Sequence, residues 1–371
     1  MKILITGGAG FIGSHTADLL IENGHQVRVM DIFDRQIHQG KRPEYLNKKC
    51  EVVEGDVRNA DAWKKNLAGI DVIIHLAART GIGQSMYEPA SYSDHNINGT
   101  AMLYDVLLKN PDLKKGIKKI VVASSKTVYG EGAYRCKSHG TVYPETRSIE
   151  QLKKGDWEAH CPQCGEPMEP IGIKEEKPPQ TPSVYGMTKF ATERLAVMFG
   201  EALSIPTIAF RWFSAYGPRQ SLSNPYTGVC SIFLSRLKNR NQPVIFEDGK
   251  QLRDYVFIKD VAKSNLLAVK HLERSGVYNI GSGKPADLVE VSDTLAELLG
   301  SDIRPKFNGE FRAGDTRHDY ADISKAKRDL GFKPDWSLKD GLRQLIDWGE
   351  TQKAEDRFLE AERERKEKLG R

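Results

Sequence analysis

The first thirteen residues constrain the fold more than any other stretch. Lys2-Ile3-Leu4-Ile5-Thr6 is a short apolar strand, and Gly7-Gly8-Ala9-Gly10-Phe11-Ile12-Gly13 follows at once. A helix pattern then runs from Phe11 to Glu22, with Ile12, Ala17, Leu19 and Leu20 apolar and Asn23-Gly24 as its stop. Strand, glycine turn and helix in succession form the context in which a glycine motif binds a dinucleotide. The glycines let the backbone turn tightly and approach a pyrophosphate, whose charge meets the helix amino terminus. A second strand, Gln26 to Met30, ends in Asp31. A carboxylate there accepts from the adenosine ribose hydroxyls and repels a 2′-phosphate. Asp34 adds to that repulsion and Arg35 alone argues for NADP, so the expected cofactor is NAD.

Strand patterns at 2–6, 26–31, 51–54, 71–75, 118–124 and 206–211 alternate with helix patterns. Such alternation implies an α/β fold with a doubly wound parallel sheet, covered on both faces. Residues 1–211 are expected to form this Rossmann domain, interrupted by an insertion at 131–178. Residues 212–348 read as a smaller mixed α/β substrate-binding region that exchanges segments with the first domain. The stretch 349–371 reads as a charged carboxy-terminal helix. From Glu350 onward it carries seven acidic and seven basic residues with almost no apolar ones, which suggests a solvated helix without chemistry.

A net charge of +5 from 55 basic and 50 acidic residues suits anionic small ligands and does not imply nucleic acid. No stretch reaches membrane-spanning length. The chain enters its first strand at once, without room for a signal peptide, so a cytoplasmic location is expected.

Tyr185-Gly186-Met187-Thr188-Lys189 places a phenol and an ammonium four residues apart on one helix face. A neighbouring cation, together with a positively charged nicotinamide, favours the ionised phenol. Moving a tyrosine from about 10 to near 7 takes roughly 4 kcal/mol. Such a phenolate can accept a proton from a sugar hydroxyl while a cofactor takes the hydride. Ser124-Ser125 precedes this pair in the chain and offers a second hydroxyl.

Together these residues resemble the extended short-chain dehydrogenase/reductase family, in its nucleotide-sugar epimerase and dehydratase branch. Gly7, Gly10 and Gly13 match its glycine turn, and Gly55-Asp56-Val57 resembles the segment over the adenine. His75-Leu76-Ala77-Ala78 resembles the stretch that passes the phosphates, and Asn96-Ile97-Asn98-Gly99-Thr100 opens the next helix as in the family. Ser124-Ser125-Lys126-Thr127-Val128-Tyr129-Gly130 places Ser125 at the catalytic hydroxyl. Arg211–Pro218, Arg253–Val256 and Arg312-Ala313-Gly314-Asp315 resemble segments around the nucleotide diphosphate and sugar.

The resemblance implies Ser125, Tyr185 and Lys189 as catalytic residues. It implies cofactor contacts from Gly7, Gly10, Phe11, Ile12, Gly13, Asp31, Asp56, Val57, Leu76, Ala77, Ala78, Asn96, Tyr185 and Lys189. Substrate contacts are implied for Ser125, Thr127, Ser214, Arg253 and Arg312, and a homodimer through helices near 97–109 and 184–203. Ser214 stands where relatives commonly place an asparagine.

The insertion departs from the family pattern: Ser125 and Tyr185 are sixty residues apart. It carries Cys136 and His139, then Cys161 and Cys164, with a glycine after each pair. Two such knuckles can deliver four ligands to one tetrahedral zinc with no open position, which makes the metal structural. The insertion has five Ile, Leu or Val residues and no Phe, so it is expected to lack a core of its own. His160 is an alternative ligand to His139, and free cysteines or a Cys161–Cys164 disulfide are the competing readings. Cys50 and Cys230 stand apart and read as inert.

Family members share oxidation at the sugar C4 and diverge afterwards. In the 4,6-dehydratase branch an acidic pair, or at least a glutamate, follows the catalytic hydroxyl residue, whereas here Lys126 and Thr127 occupy those places. A 4-epimerase is the economical reading. The insertion and Ser221–Val229 resemble a subgroup acting on dTDP-L-rhamnose and dTDP-6-deoxy-L-talose; a UDP-hexose 4-epimerase is the alternative. A non-catalytic NAD or nucleotide-sugar sensor is the reading from another class, and it has no need for Ser125, Tyr185 and Lys189 together.

Overall fold

Each apolar run becomes a strand within a residue of its expected bounds: β1 (Lys2–Thr6), β2 (Gln26–Asp31), β3 (Glu51–Glu54), β4 (Val72–His75), β5 (Lys119–Ala123) and β6 (Thr207–Trp212). A seventh strand, β7 (Gly276–Ile280), comes from the region beyond 212 and joins the edge. The sheet order is β3-β2-β1-β4-β5-β6-β7 and every pairing is parallel. In this computed structural model, residues 1–226, 228–312 and 314–369 are described.

Parallel strands need crossovers, and helices supply them on both faces. The principal ones are α1 (Phe11–Glu22), α2 (Gly99–Lys109) and α3 (Val184–Ala202). Alternate residues of each strand point to opposite layers. Ile3, Ile5, Val27, Val29, Val72 and Ile74 pack into one core, while Leu4, Met30, Ile73, Ile120 and Val122 pack into the other. The chain order reverses between β1 and β4, so ligands are expected at the carboxyl ends of those strands.

The region 212–348 adds two small sheets and α4 (Leu338–Glu350), and through β7 it shares the main sheet. The insertion folds around a three-stranded antiparallel sheet of 133–136, 140–142 and 169–171. It does contain a small apolar cluster, with Tyr134, Val142, Ala159 and Met168 around Cys136 and Cys161. The expectation of no core is corrected to that extent: aromatic and methionine side chains stand in for the missing aliphatics.

The carboxy terminus also differs from expectation. It is not one helix from 349: α4 ends at Glu350 and α5 (Phe358–Leu369) starts after a break. Helix α5 is not merely solvated, because Ala361 is buried and Glu362 and Arg365 are half-buried against the rest of the chain. No described helix is long and apolar enough to cross a membrane.

Candidate active site

A cavity of about 1800 Å³ opens at the carboxyl ends of β1, β2, β4 and β5. Single-ligand sites run to about 1,000 Å³, so this space suits two ligands side by side.

One end is the glycine turn. Gly7 has a φ of +64°, and a Cβ there would sit 2.8 Å from Ala77 Cα; a Cβ on Gly13 would sit 2.4 Å from the Gly7 carbonyl. No side chain can be added at either position without moving the β1 turn away from β4 or α1. Gly10, the N-cap of α1, makes no side-chain cap, so the helix terminus keeps its amide groups for another acceptor. Asp31 accepts from the Ala9 N–H and the Phe33 N–H, both at 3.0 Å, which fixes its carboxylate beside the turn. This cradle fits a dinucleotide. Phe11, Ile12, Asp56, Val57, Leu76, Ala77 and Ala78 line the same wall.

Asn96 does not line the cavity. Its side chain is buried, accepting from the Arg79 N–H at 2.7 Å and donating to Thr188 Oγ1 at 2.9 Å. It holds the segment that follows β4, at Arg79, against α3. His75 lies between Thr6 Oγ1 (2.7 Å) and Thr100 Oγ1 (3.1 Å), and burial pushes it down to about 3, so it serves as a neutral hydrogen-bonding strut.

At the centre stand Ser125, Thr127, Tyr185 and Lys189, all on the cavity wall. Their meeting has a local cause. Ser183 caps α3 by accepting from the Gly186 N–H at 3.1 Å. Gly186 lies so near the Thr127 carbonyl that a Cβ would approach it to 2.8 Å, which draws the first turn of α3 onto the end of β5. Behind this contact, Ser124 donates to Glu193 at 2.6 Å, and Glu193 is held by Arg211 at 2.6 and 2.8 Å. The ring of Tyr185 meets Tyr92 edge-on at 6.4 Å.

Ser125 Oγ accepts from the Thr127 N–H at 3.1 Å and from Thr127 Oγ1 at 2.8 Å, leaving its own proton to donate. Burial pushes Tyr185 up to about 12, opposed only by a hydrogen bond with Ser125, and pushes Lys189 down to about 8. The chain by itself therefore holds Tyr185 as a phenol, because desolvation outweighs the Ser125 hydrogen bond.

Ser214 and Arg312 also line the cavity, but Arg253 does not. Its guanidinium donates to the carbonyls of Thr316 (2.7 Å) and Arg317 (2.9 Å) and lies 3.5 Å from Asp319, so it braces the 316–319 loop. Thr227 and Ala313, parts of two motifs quoted above, lie outside the described residues. Tyr45, Arg79 and Arg219 line the cavity without having been expected. Tyr45 reaches the glycine turn by donating to the Ala9 carbonyl at 2.9 Å, while Arg219 lies over its ring. Neither carries a sequence motif; each reaches the site through tertiary packing.

The four knuckle residues converge. Ligand atoms of Cys136, His139, Cys161 and Cys164 all lie within 4.8 Å of one another. His139 Nδ1 is 3.5 Å from Cys136 Sγ and 3.4 Å from Cys161 Sγ, and Cys136 Sγ is 3.7 Å from Cys164 Sγ. Metal–ligand lengths of about 2.0–2.3 Å give tetrahedron edges of roughly 3.5–3.8 Å, so the donor set and spacing fit zinc. His160 turns instead to Asp156 (2.9 Å) and the Gly165 carbonyl (3.1 Å).

The insertion is fastened to the site by buried ion pairs. Fully buried Arg317 reaches Glu158 (2.6 Å), Asp248 (2.7 Å) and Glu247 (3.2 Å), while Arg147 grips Glu247 at 2.9 Å and the Asp315 carbonyl at 3.0 Å. Asp315, and Ile149 of the insertion itself, line the cavity.

The NAD dependent epimerase/dehydratase family matches residues 3–150 and 161–281. The chain is 38% identical to the dTDP-L-rhamnose 4-epimerase of Burkholderia thailandensis, covering 94% of each protein. It is 32% identical to a putative UDP-glucose 4-epimerase of Methanocaldococcus jannaschii, over 93% of this chain and 97% of that one. Among solved structures it resembles the Thermotoga maritima UDP-glucose 4-epimerase with UDP-glucose, at a TM-score of 0.76 and 31% identity, covering 94% of this chain and 99% of that one. The Bacillus cereus UDP-glucuronic acid 4-epimerase in complex with UDP-glucuronic acid and NAD gives a TM-score of 0.76 at 27% identity, covering 94% of this chain and 98% of that one. With the glycine cradle, the Ser125–Tyr185–Lys189 wall and these matches in view, the chain belongs to the NAD dependent epimerase/dehydratase family and is an NAD-dependent epimerase.

Proposed function

We propose that the protein is a nucleotide-sugar 4-epimerase that interconverts dTDP-L-rhamnose and dTDP-6-deoxy-L-talose, with a structural zinc in its insertion. The observation that carries the reaction is the wall itself: Ser125, Tyr185 and Lys189 share one cavity with the glycine cradle.

When bound, NAD supplies a reversible hydride acceptor. The chain's residues do the rest. Ser125, whose lone pairs already accept from Thr127, donates to the oxygen on the sugar C4. Tyr185, in the phenolate form that Lys189 and the positive nicotinamide together favour, accepts the proton of that hydroxyl and returns it after the sugar has presented its other face. Lys189, at about 8, is still mostly protonated at pH 7 and supplies the positive charge that lowers the cost of the phenolate.

The residues after Ser125 support epimerisation over dehydration. Positions 126 and 127 are a lysine, bound to Asp319 at 2.5 Å, and a threonine, bound to Ser125, so neither residue is itself a carboxylate. For the sugar, the support is the similarity to the Burkholderia protein. The UDP-hexose alternative is supported by the similarity to the Methanocaldococcus and Thermotoga proteins. Incubating the protein with a panel of dTDP-, UDP- and GDP-sugars and scoring C4 inversion by NMR decides between them. The proposal expects dTDP-L-rhamnose to be turned over at the highest kcat/KM; a higher value for a UDP-hexose would replace it.

The zinc proposal rests on the four converging ligand atoms. A structural zinc contributes on the order of 10–16 kcal/mol, ample to hold a segment with so small a core. A homodimer through α2 and α3 is proposed as well, supported by exposed Leu108, Met187 and Met198 on those helices. Light scattering that gives a monomer mass would exclude it.

A further inference from the structure

The carboxy-terminal helix closes one side of the cavity and brings its own charges there. Glu362, Arg365 and Lys366 of α5 line the space, opposite Glu310 and Arg312. Glu362 sits between two guanidinium groups: Arg312 Nη2 is 2.5 Å from Oε1, and Arg365 Nη2 is 3.0 Å from Oε2. Arg312 is further oriented by stacking over the Phe246 ring, its Cζ 4.1 Å from the centroid. Its Nε is buried with no hydrogen-bond partner among the described residues.

Helix α5 is anchored independently of this contact. Tyr226 donates to Glu364 and accepts from Tyr87 at 2.9 Å, while Arg236 lies over Phe358 and pairs with Asp356 at 3.1 Å. The helix can therefore stay in place when Glu362 changes partner.

Two arginines converging on one carboxylate, inside a cavity that receives an anionic ligand, form a site for an oxyanion group with two or more oxygens. We infer that Arg365 is a substrate-binding residue: the diphosphate of the nucleotide sugar displaces the Glu362 carboxylate and is held between Arg312 and Arg365. Glu362 is the internal counter-ion that keeps both guanidinium groups aimed until the ligand arrives. Its displacement weakens net affinity, because the ligand competes with a charge already in place. This inference rests on the nucleotide-sugar reading above.

The test is calorimetric titration of the full chain with dTDP, UDP and thymidine, in the wild type, Arg365→Ala, Arg365→Lys and Glu362→Gln. Arg365→Ala should weaken dTDP by about 10-fold or more, and Arg365→Lys should restore only part of this. Glu362→Gln should tighten dTDP several-fold, an effect that a purely structural role for α5 would not produce. Thymidine, which lacks the diphosphate, should bind all variants alike. If wild type binds dTDP and both substitutions leave its affinity unchanged, or if Glu362→Gln weakens it, the clamp is refuted while the nucleotide-sugar reading stands. If wild type binds neither dTDP nor UDP, both fall together.

Discussion

Lys126 Nζ lies 2.5 Å from Asp319 Oδ2, so the residue that follows Ser125 spends its charge on an ion pair. Burial lowers the lysine's pKa and Asp319 opposes that shift. Removing one partner of a buried pair typically costs roughly 3–5 kcal/mol. Asp319→Asn should lower the unfolding free energy by about 3 kcal/mol at pH 7. A group whose pKa falls on folding is penalised below its folded value and relieved as pH rises, so the loss should shrink towards pH 10. Urea unfolding at pH 7 and pH 9.5 reads both; an equal loss at the two values would contradict the assignment.

Lys189 gives a related prediction with the opposite effect on stability. Burial pushes it down to about 8 from an ordinary value near 10.5. Its cost to folding is fully present below pH 8 and fades as pH rises towards 10.5. Lys189→Met should therefore stabilise the NAD-free protein by about 3 kcal/mol at pH 7, with little gain at pH 10. Turnover should fall by about 100-fold or more. A variant both less stable and fully active would overturn the role assigned to this lysine.

Tyr185→Phe keeps the ring against Tyr92 and removes only the hydroxyl. Turnover should drop by roughly three orders of magnitude, with NAD still bound and the fold unchanged by circular dichroism. Retained turnover would show that another group takes the proton.

Elemental analysis should return one zinc per chain. Cys161→Ser should release it and expose the amides of 131–178 to hydrogen exchange. Exchange should spread to 315–319, because Arg317 and Arg147 tie that loop to Glu158, Glu247 and Asp315. A zinc-free chain with a fully protected insertion would remove the metal from the account.

What the sequence disclosed was local. Gly7 to Gly13 could be read because strand, turn and helix are contiguous, and Tyr185 and Lys189 because helical spacing alone puts them on one face. The Cys136–His139 and Cys161–Cys164 knuckles were legible for the same reason. Partnerships between distant residues were not. Arg312 and Glu362 are fifty positions apart, and Arg147 and Glu247 a hundred. Nothing in a balanced charge run such as 350–371 says that one glutamate will meet an arginine fifty positions away at the cavity wall. Asn96 and Arg253 were read as ligand contacts from their motifs, and nothing in the sequence showed that their side chains also brace backbone carbonyls and amides. The upward push that burial gives Tyr185 in the ligand-free chain is likewise invisible in sequence.

The central claim is that the C4 hydrogen of the sugar leaves and returns to the same carbon. Substrate carrying deuterium at C4 measures this directly when incubated in ordinary water and followed by NMR. The account predicts a C4 epimer that keeps its deuterium, and a parallel run of unlabelled sugar in heavy water should leave C5 unlabelled. Loss of the C4 label to solvent, or solvent deuterium appearing at C5, would contradict it.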